Sequence, residues 1–169
     1  MSTFPAMLHA LLLRELGSLR RELQAYPDET SLWEAPPGVP NSGGNLILHL
    51  TGNLQHYVGA VLGSTGYVRD RDAEFSSGGM ERPALLEQIA AAERAVDATL
   101  PALTEQRLAA PYPEPIRGHP VKTGDFLLHV AIHLGYHLGQ LDYHRRIVTG
   151  DASGVDAINP AVLATARSR

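Results

Sequence analysis

The chain has 169 residues, of which 44% are hydrophobic, and its formal net charge at pH 7 is −4. A chain of this length buries roughly 70% of the surface that it exposes when unfolded, so a single hydrophobic core is sufficient to stabilise it. The acidic balance argues against a nucleic-acid partner, because proteins that follow a phosphate backbone present basic surfaces. The absence of cysteine excludes disulfides, thiolate metal ligands and cysteine nucleophiles.

The N-terminus lacks the features of a targeting signal, and no apolar run is long enough to span a bilayer. It opens apolar as MSTFPAMLHALLL, but charge enters at Arg14 and a basic start is missing. We therefore expect a soluble, cytoplasmic protein without a membrane partner, folded as a single domain over residues 1–169.

Leucine spacing predicts the first helix, from about Pro5 to Tyr26. The repeat has the three- and four-residue steps of an amphipathic helix and consists of Leu8, Leu12, Leu16, Leu19 and Leu23. Proline suits the first turn, because the N–H that it lacks would have no partner there. The following segment PDETSLWEAPPGVPNSGG has no such period and predicts a loop.

The second helix is predicted from Gly44 to Leu62, in the segment GNLILHLTGNLQHYVGAVL. The linker GSTGYVRDRDAEFSSGG is charged and rich in glycine, which indicates an exposed connection. A third helix is predicted from about Arg82 to Leu103. Its apolar positions again follow the helical period: Leu85, Ile89, Ala92, Val96 and Leu100.

Prolines interrupt the segment TEQRLAAPYPEPIRGHPVKTG, which favours a short strand or an extended arm over a helix. The fourth helix is predicted to open near Thr123–Asp125, where residues suited to capping occur, and to continue to about Val148. Residues 151–169 predict an ordered arm with a ragged end.

Four helices of about twenty residues, each with an apolar face, predict an all-α four-helix bundle over about residues 5–150. The connections are longer than the roughly two to eight residues usual in bundles. Long connections are consistent with loops that shape a pocket mouth, with up-up-down-down wiring, or with a dimer contact. Two-fold dimers are the commonest soluble oligomers and the first helix is apolar, so we expect a homodimer.

Histidines are concentrated on the predicted fourth helix, in LLHVAIHLGYHLGQLDYHRR. The four histidines are His129, His133, His137 and His144. On a helical wheel they and Gln140 fall within an arc of about 80° at the core-facing side. Neighbouring imidazoles are costly to bury unless each has a partner, and a divalent metal is one partner that several can share. The four-residue spacing that a shared ion requires is met twice, by His129 with His133 and by His133 with His137.

A third imidazole is available on the second helix, where His49 lies among leucines. If helices two and four pack side by side, His49 can reach the pair on the fourth helix. Three histidines with one open position are typical of a catalytic zinc site. The alternative is that the histidines only form hydrogen bonds in a structural helical protein. A structural or surface role is favoured for the isolated histidines, which are His9, His56, His119 and His144.

Position also indicates residues that would contact metal ligands or substrate without binding the metal. Gln140 lies one turn beyond His137 on the same face, and Asn53 and His56 share the face of His49. Gly135 and Gly139 are four residues apart, which predicts the close approach of another helix. Such packing would compensate the roughly 1 kcal/mol that each glycine costs relative to alanine.

Two motifs resemble those of the DinB/YfiT-like superfamily of helical-bundle metalloenzymes. NLILHLTGN is similar to the family's second-helix segment, and IHLGYHLGQ to its fourth-helix signature of two histidines followed by Gly-Gln. The resemblance covers roughly residues 5–150 and implies that His49, His133 and His137 are the metal ligands. His129 then remains an alternative ligand or a partner of one. The family commonly has arginine where this chain has Leu138, so a role that depends on that arginine is absent.

The resemblance also implies a chemistry, because characterised relatives include transferases and an isomerase that use low-molecular-weight thiols such as bacillithiol or mycothiol. All-imidazole ligation favours zinc or nickel. A divalent metal would activate a thiol or a water as nucleophile, so we expect a metal-dependent transferase or hydrolase with a small-molecule substrate. No catalytic residue is predicted beyond the metal ligands. The alternatives are a non-catalytic metal or small-molecule binding module and a structural dimeric helical protein.

Overall fold

In a computed structural model, which describes residues 3–166, the chain is all-α, as the sequence predicts. The helices are α1 (Phe4–Ala25), α2 (Glu29–Trp33), α3 (Gly43–Leu54), α4 (Val61–Gly63), α5 (Arg71–Ser76), α6 (Arg82–Thr99), α7 (Glu105–Ala109) and α8 (Thr123–Thr149). The second bundle helix is α3 together with α4, since a π-helical segment, Gln55–Ala60, joins them without a break. A 3₁₀ turn at Leu100–Ala102 extends α6.

The bundle has an up-down-down-up arrangement of α1, α3, α6 and α8. Both α1 and α3 pack against α6 and α8, so α1 and α3 are diagonally opposite. The end of α1 lies beside the end of α8, where Glu22 pairs with Arg145, and beside the start of α6, where Arg82 donates to the carbonyl of Tyr26. Gln55 pairs with Gln88 and, further along, Gly59 meets Ala95, so the second bundle helix runs parallel to α6. The up-up-down-down alternative is therefore wrong.

The core contains the leucine repeat that predicted α1. All five leucines are 3% exposed or less, as are all five apolar residues that predicted the third helix. Each fully buried leucine contributes about 1.5–3 kcal/mol relative to an exposed one, so the repeat is a principal determinant of the bundle. None of the helices within residues 3–166 combines the length and apolarity needed to cross a bilayer.

Two segments predicted as loops contain short helices, and the prediction of a short strand or an extended arm for TEQRLAAPYPEPIRGHPVKTG is wrong at its start, where α7 forms. The amide N–H of Ser31 donates to Asp28, which caps α2, and the amide of Ala73 donates to Asp70, which caps α5. Helices of five or six residues are too short to show an amphipathic period, so capping residues are their main sequence signal. The capping predicted at Thr123–Asp125 does not form, because Lys122 is the N-cap of α8 and makes no side-chain hydrogen bond.

The remaining connections are extended or irregular. Between α7 and α8, isolated antiparallel bridges pair Pro111 with Lys122 and Ile116 with His119. Residues 3–166 contain no other β-pairing. The arm after α8 lies along α1, where Ser18 donates to the carbonyl of Ala157 at 2.8 Å. The arm thus packs against α1, and the predicted ragged end lies outside the described residues.

Candidate metal centre

The structure brings three histidine side chains together between the antiparallel helices α3 and α8. His49 comes from α3, and His133 and His137 come from successive turns of α8. One ring nitrogen from each lies within 4.8 Å of the other two. The Nε2 atoms of His49 and His133 are 3.2 Å apart, and the rings of His133 and His137 have centroids 4.5 Å apart.

A carboxylate holds the ring of His49 in place from the side opposite the cluster. Nδ1 of His49 lies 2.9 Å from Oε2 of Glu74, which accepts a hydrogen bond from the Nδ1–H group. Arg69 binds both oxygens of this carboxylate, from Nε at 2.6 Å and from Nη2 at 2.8 Å. The guanidinium is 3.3 Å from Nδ1 of His49, so its shorter contacts are with Glu74. With the proton on Nδ1, Nε2 of His49 presents a lone pair to the cluster.

Gly52 makes room for this carboxylate on the surface of α3. A Cβ atom at residue 52 would lie 2.3 Å from Oε1 of Glu74, which is only 5% exposed. Burial by itself would raise the pKa of Glu74, but hydrogen bonds from Arg69 and His49 outweigh it and hold the pKa below its usual value. Glu74 is therefore an ionised, buried acceptor directed at His49.

Nδ1 of His137 has a hydrogen-bond partner, as Nδ1 of His49 has, whereas Nδ1 of His133 has none. Nδ1 of His137 lies 2.6 Å from Oε1 of Gln140, which leaves Nε2 of His137 free to face the cluster. Nδ1 of His133 is buried without a hydrogen-bond partner in the protein. Burial, reinforced by the neighbouring His137 and His49, lowers the pKa of His133 to about 4, and burial also lowers the pKa of His137.

The donor set fits a divalent ion that prefers nitrogen ligands. Zinc–imidazole bonds of about 2.0–2.1 Å in a tetrahedron place two ligand nitrogens about 3.4 Å apart, close to the 3.2 Å between His49 and His133. Without a cation, two Nε2 atoms that face each other can share only one proton. Among the residues that the structure describes, no fourth histidine or carboxylate joins the cluster, so one coordination position would remain open.

Of the four other candidates, only Gln140 contacts one of the three histidines. His129 is exposed and stacks on Phe126, and its ring centroid is 6.3 Å from that of His133. His56 shares a wheel position with His49, but seven residues along a helix correspond to about 10 Å, and His56 pairs with Glu114 instead. Asn53 is buried and makes no hydrogen bond to the three histidines.

The prediction missed Glu74, Arg69 and Gly52, which together fix the orientation of His49. The first two belong to the charged linker that was interpreted as surface, an interpretation that the burial of Glu74 contradicts. A usable signal was present, since a metal-binding histidine commonly donates its other N–H to a carboxylate. The linker that follows the second helix contains three acidic residues, Asp70, Asp72 and Glu74, but spacing alone does not choose among them.

A cavity of about 570 Å³ lies beside the cluster, lined by Asn41, Arg71, Asp72, Phe75 and Ser76. Phe75 connects the two features, because its ring centroid is 4.8 Å from that of His49. The guanidinium of Arg71 lies over the same ring, 5.2 Å from its centroid. Its volume is sufficient for a small molecule, it opens widely to solvent, and none of the three histidines lines it.

Comparison with known families identifies a match to this chain. The family model described as the DinB superfamily matches residues 11–141, which is most of the chain and includes His49, His133 and His137. No curated protein matches the chain.

Proposed function

The chain belongs to the DinB superfamily, and we propose that it is a metal-dependent transferase or hydrolase whose divalent ion is bound by His49, His133 and His137. The convergence of three imidazole nitrogens between α3 and α8 is the observation that carries this proposal. Zinc or nickel is the proposed metal, because both accept imidazole ligands readily and neither requires carboxylate oxygens.

Bound to three neutral imidazoles, such an ion would keep its full charge and lower the pKa of a coordinated thiol or water toward neutrality. The chain supplies the orientation that this chemistry requires. Glu74 fixes the ring of His49 through Nδ1, and Gln140 fixes the ring of His137 in the same way. Phe75 covers one side of His49 and excludes water there, which strengthens electrostatic interactions at the site.

A thiol nucleophile must come from outside the chain, because the sequence has no cysteine. A low-molecular-weight thiol is therefore the proposed co-substrate in the transferase reaction, and water is the nucleophile in the hydrolase reaction. We place the non-reacting part of the substrate in the cavity beside Phe75. Arg71 and Asp72 line this cavity and offer charges of both signs to a small polar molecule.

The proposed function predicts activity that depends on the metal and on its ligands. Zinc-loaded, nickel-loaded and metal-free protein are assayed for transfer of a low-molecular-weight thiol to an electrophile and, separately, for hydrolysis of an activated ester. Turnover is expected in one of the two assays with loaded protein only. His133→Ala is expected to reduce it to the uncatalysed rate, and His129→Ala, an exposed histidine one turn away, is expected to retain it.

Equal rates with loaded and metal-free protein would contradict the proposed mechanism. Metal binding without turnover in either assay would contradict only its catalytic part, and would favour the alternative of a non-catalytic binding module.

A further inference from the structure

The outer face of α8 carries an exposed apolar surface, here called the α8 stripe. It consists of Leu128, Ile132, Tyr136, Tyr143 and Ile147, each between 47% and 72% exposed. No charged residue occurs between Asp125 and Asp142, although the outer face of a bundle helix is normally polar. Monomeric proteins rarely expose a continuous apolar patch of several hundred Å² without a function for it.

The α8 stripe is separate from the face that α8 directs into the bundle. The core face is fully used, because Val130, Leu134 and Leu141 are each 2% exposed or less. The two glycines that predicted a close helix contact, Gly135 and Gly139, lie within the stripe instead. A Cβ atom at either one would meet nothing within 4 Å, so the close approach that their spacing predicts does not occur within one chain.

We propose that the α8 stripe packs antiparallel against the same stripe of a second copy of this chain. A two-fold axis between residues 137 and 138 makes the stripe complementary to itself. Leu128 then faces the partner's Ile147, and Ile132 faces the partner's Tyr143. At the centre, Tyr136 lies over the partner's Gly139, where the absence of a side chain leaves room for the ring. Such an isologous contact is the commonest type in soluble dimers.

Charge at the two ends of the stripe favours the antiparallel direction. On a helical wheel Asp125 and Arg146 fall on the exposed face, one at each end. Two-fold pairing brings each Asp125 to within about one helical turn of the partner's Arg146, whereas parallel pairing would place like charges together. Asp125 makes no ion pair with any residue in the described part of the chain, and Arg146 is only half-buried beside Asp142.

The dimension of the stripe sets the expected strength of the dimer. From Leu128 to Ile147 it is about 28 Å long, so a helix pair buries several hundred Å² per copy. This is toward the lower end for a specific interface, which typically buries about 800 Å² per partner. The dimer is therefore expected to dissociate on dilution. His133 and His137 lie on the side of α8 that faces α3, and Tyr136 is the member of the stripe whose ring contacts His137.

The oligomeric state of the full chain tests the proposal. Sedimentation velocity across a dilution series is expected to show a mass approaching twice the chain mass of 18.2 kDa. Ile132→Asp is expected to remain monomeric at all concentrations. Ile158→Asp is the matched control, because Ile158 is 76% exposed against 72% for Ile132 but lies on the C-terminal arm. Circular dichroism verifies that both variants are folded.

Cross-linking tests the antiparallel register, since the chain has no cysteine of its own. Under mild oxidation a mixture of Ile132→Cys and Tyr143→Cys proteins is expected to form a cross-linked pair that neither variant forms alone. Cross-linking of each variant with itself would overturn the antiparallel arrangement. A wild-type monomer at every concentration, or a dimer that Ile132→Asp leaves intact, would overturn the interface.

Discussion

Replacing Glu74 by glutamine is expected to lower the affinity for zinc by roughly 10- to 100-fold, the usual effect of removing a partner that orients a ligand histidine. The carboxylate is 2.9 Å from Nδ1 of His49, and it fixes the orientation and tautomer of the ring. Glutamine preserves the size of the side chain but removes its charge. Competition between the protein and a chelator of known affinity measures the change, on samples whose fold is verified by circular dichroism.

A second variant reaches the same contact without altering Glu74 chemically. Gly52→Ala would place a Cβ atom 2.3 Å from Oε1 of Glu74, so the carboxylate must shift from its position beside His49. Gly17→Ala is the control, because its Cβ would meet only the end of Arg21, at an ordinary 3.5 Å. A metal affinity unchanged in both Glu74→Gln and Gly52→Ala would show that this carboxylate does not support the site.

Replacing Arg145 by methionine is expected to lower the free energy of unfolding by about 3–5 kcal/mol, because it leaves a buried carboxylate without its cation. Glu22 and Arg145 are fully buried, and Nε of Arg145 donates to Oε2 of Glu22 at 2.6 Å. Burial already raises the pKa of Glu22 and the hydrogen bond from Arg145 opposes the rise. In the variant the folded-state pKa rises further above the unfolded one, so the stability loss should shrink as the pH is lowered.

Chemical denaturation of Arg145→Met and of Arg94→Met compares the loss of a buried ion pair with the loss of an exposed one. Arg94 and Glu87 are also 2.6 Å apart, but their side chains are 65% and 66% exposed. Exposed pairs contribute about 0–1 kcal/mol, so Arg94→Met should change the free energy of unfolding little. Equal losses in the two variants would mean that the Glu22–Arg145 pair has no special role in joining α1 to α8.

The long helices were predictable because each repeats its apolar residues over several turns, as Leu8 to Leu23 do along α1. The spacing of His133 and His137 was likewise visible, since four residues place two side chains on one face of a helix. The meeting with His49 could be anticipated only on the condition that two helices pack together. That condition is tertiary, and the sequence contains no direct measure of it.

The features that were missed depend on short segments or on position along a helix axis. Glu74 belongs to a six-residue helix, and its side chain is buried in the space over Gly52. This contact joins residues that are 22 apart in sequence. His56 was misplaced because a helical wheel gives the angle of a residue but ignores its height along the helix. The glycines of α8 were recognised as a close-packing motif, but a single sequence does not distinguish packing within a chain from packing between chains.

The most direct test of the three-histidine centre is elemental analysis of untagged protein purified without chelators, together with His49→Ala, His137→Ala and the control His129→Ala. We predict one divalent metal ion per chain in the wild type and in the control, and loss of the metal in the two ligand variants. Folded protein without metal in any sample, or full metal content in His49→Ala or His137→Ala, would contradict the assignment.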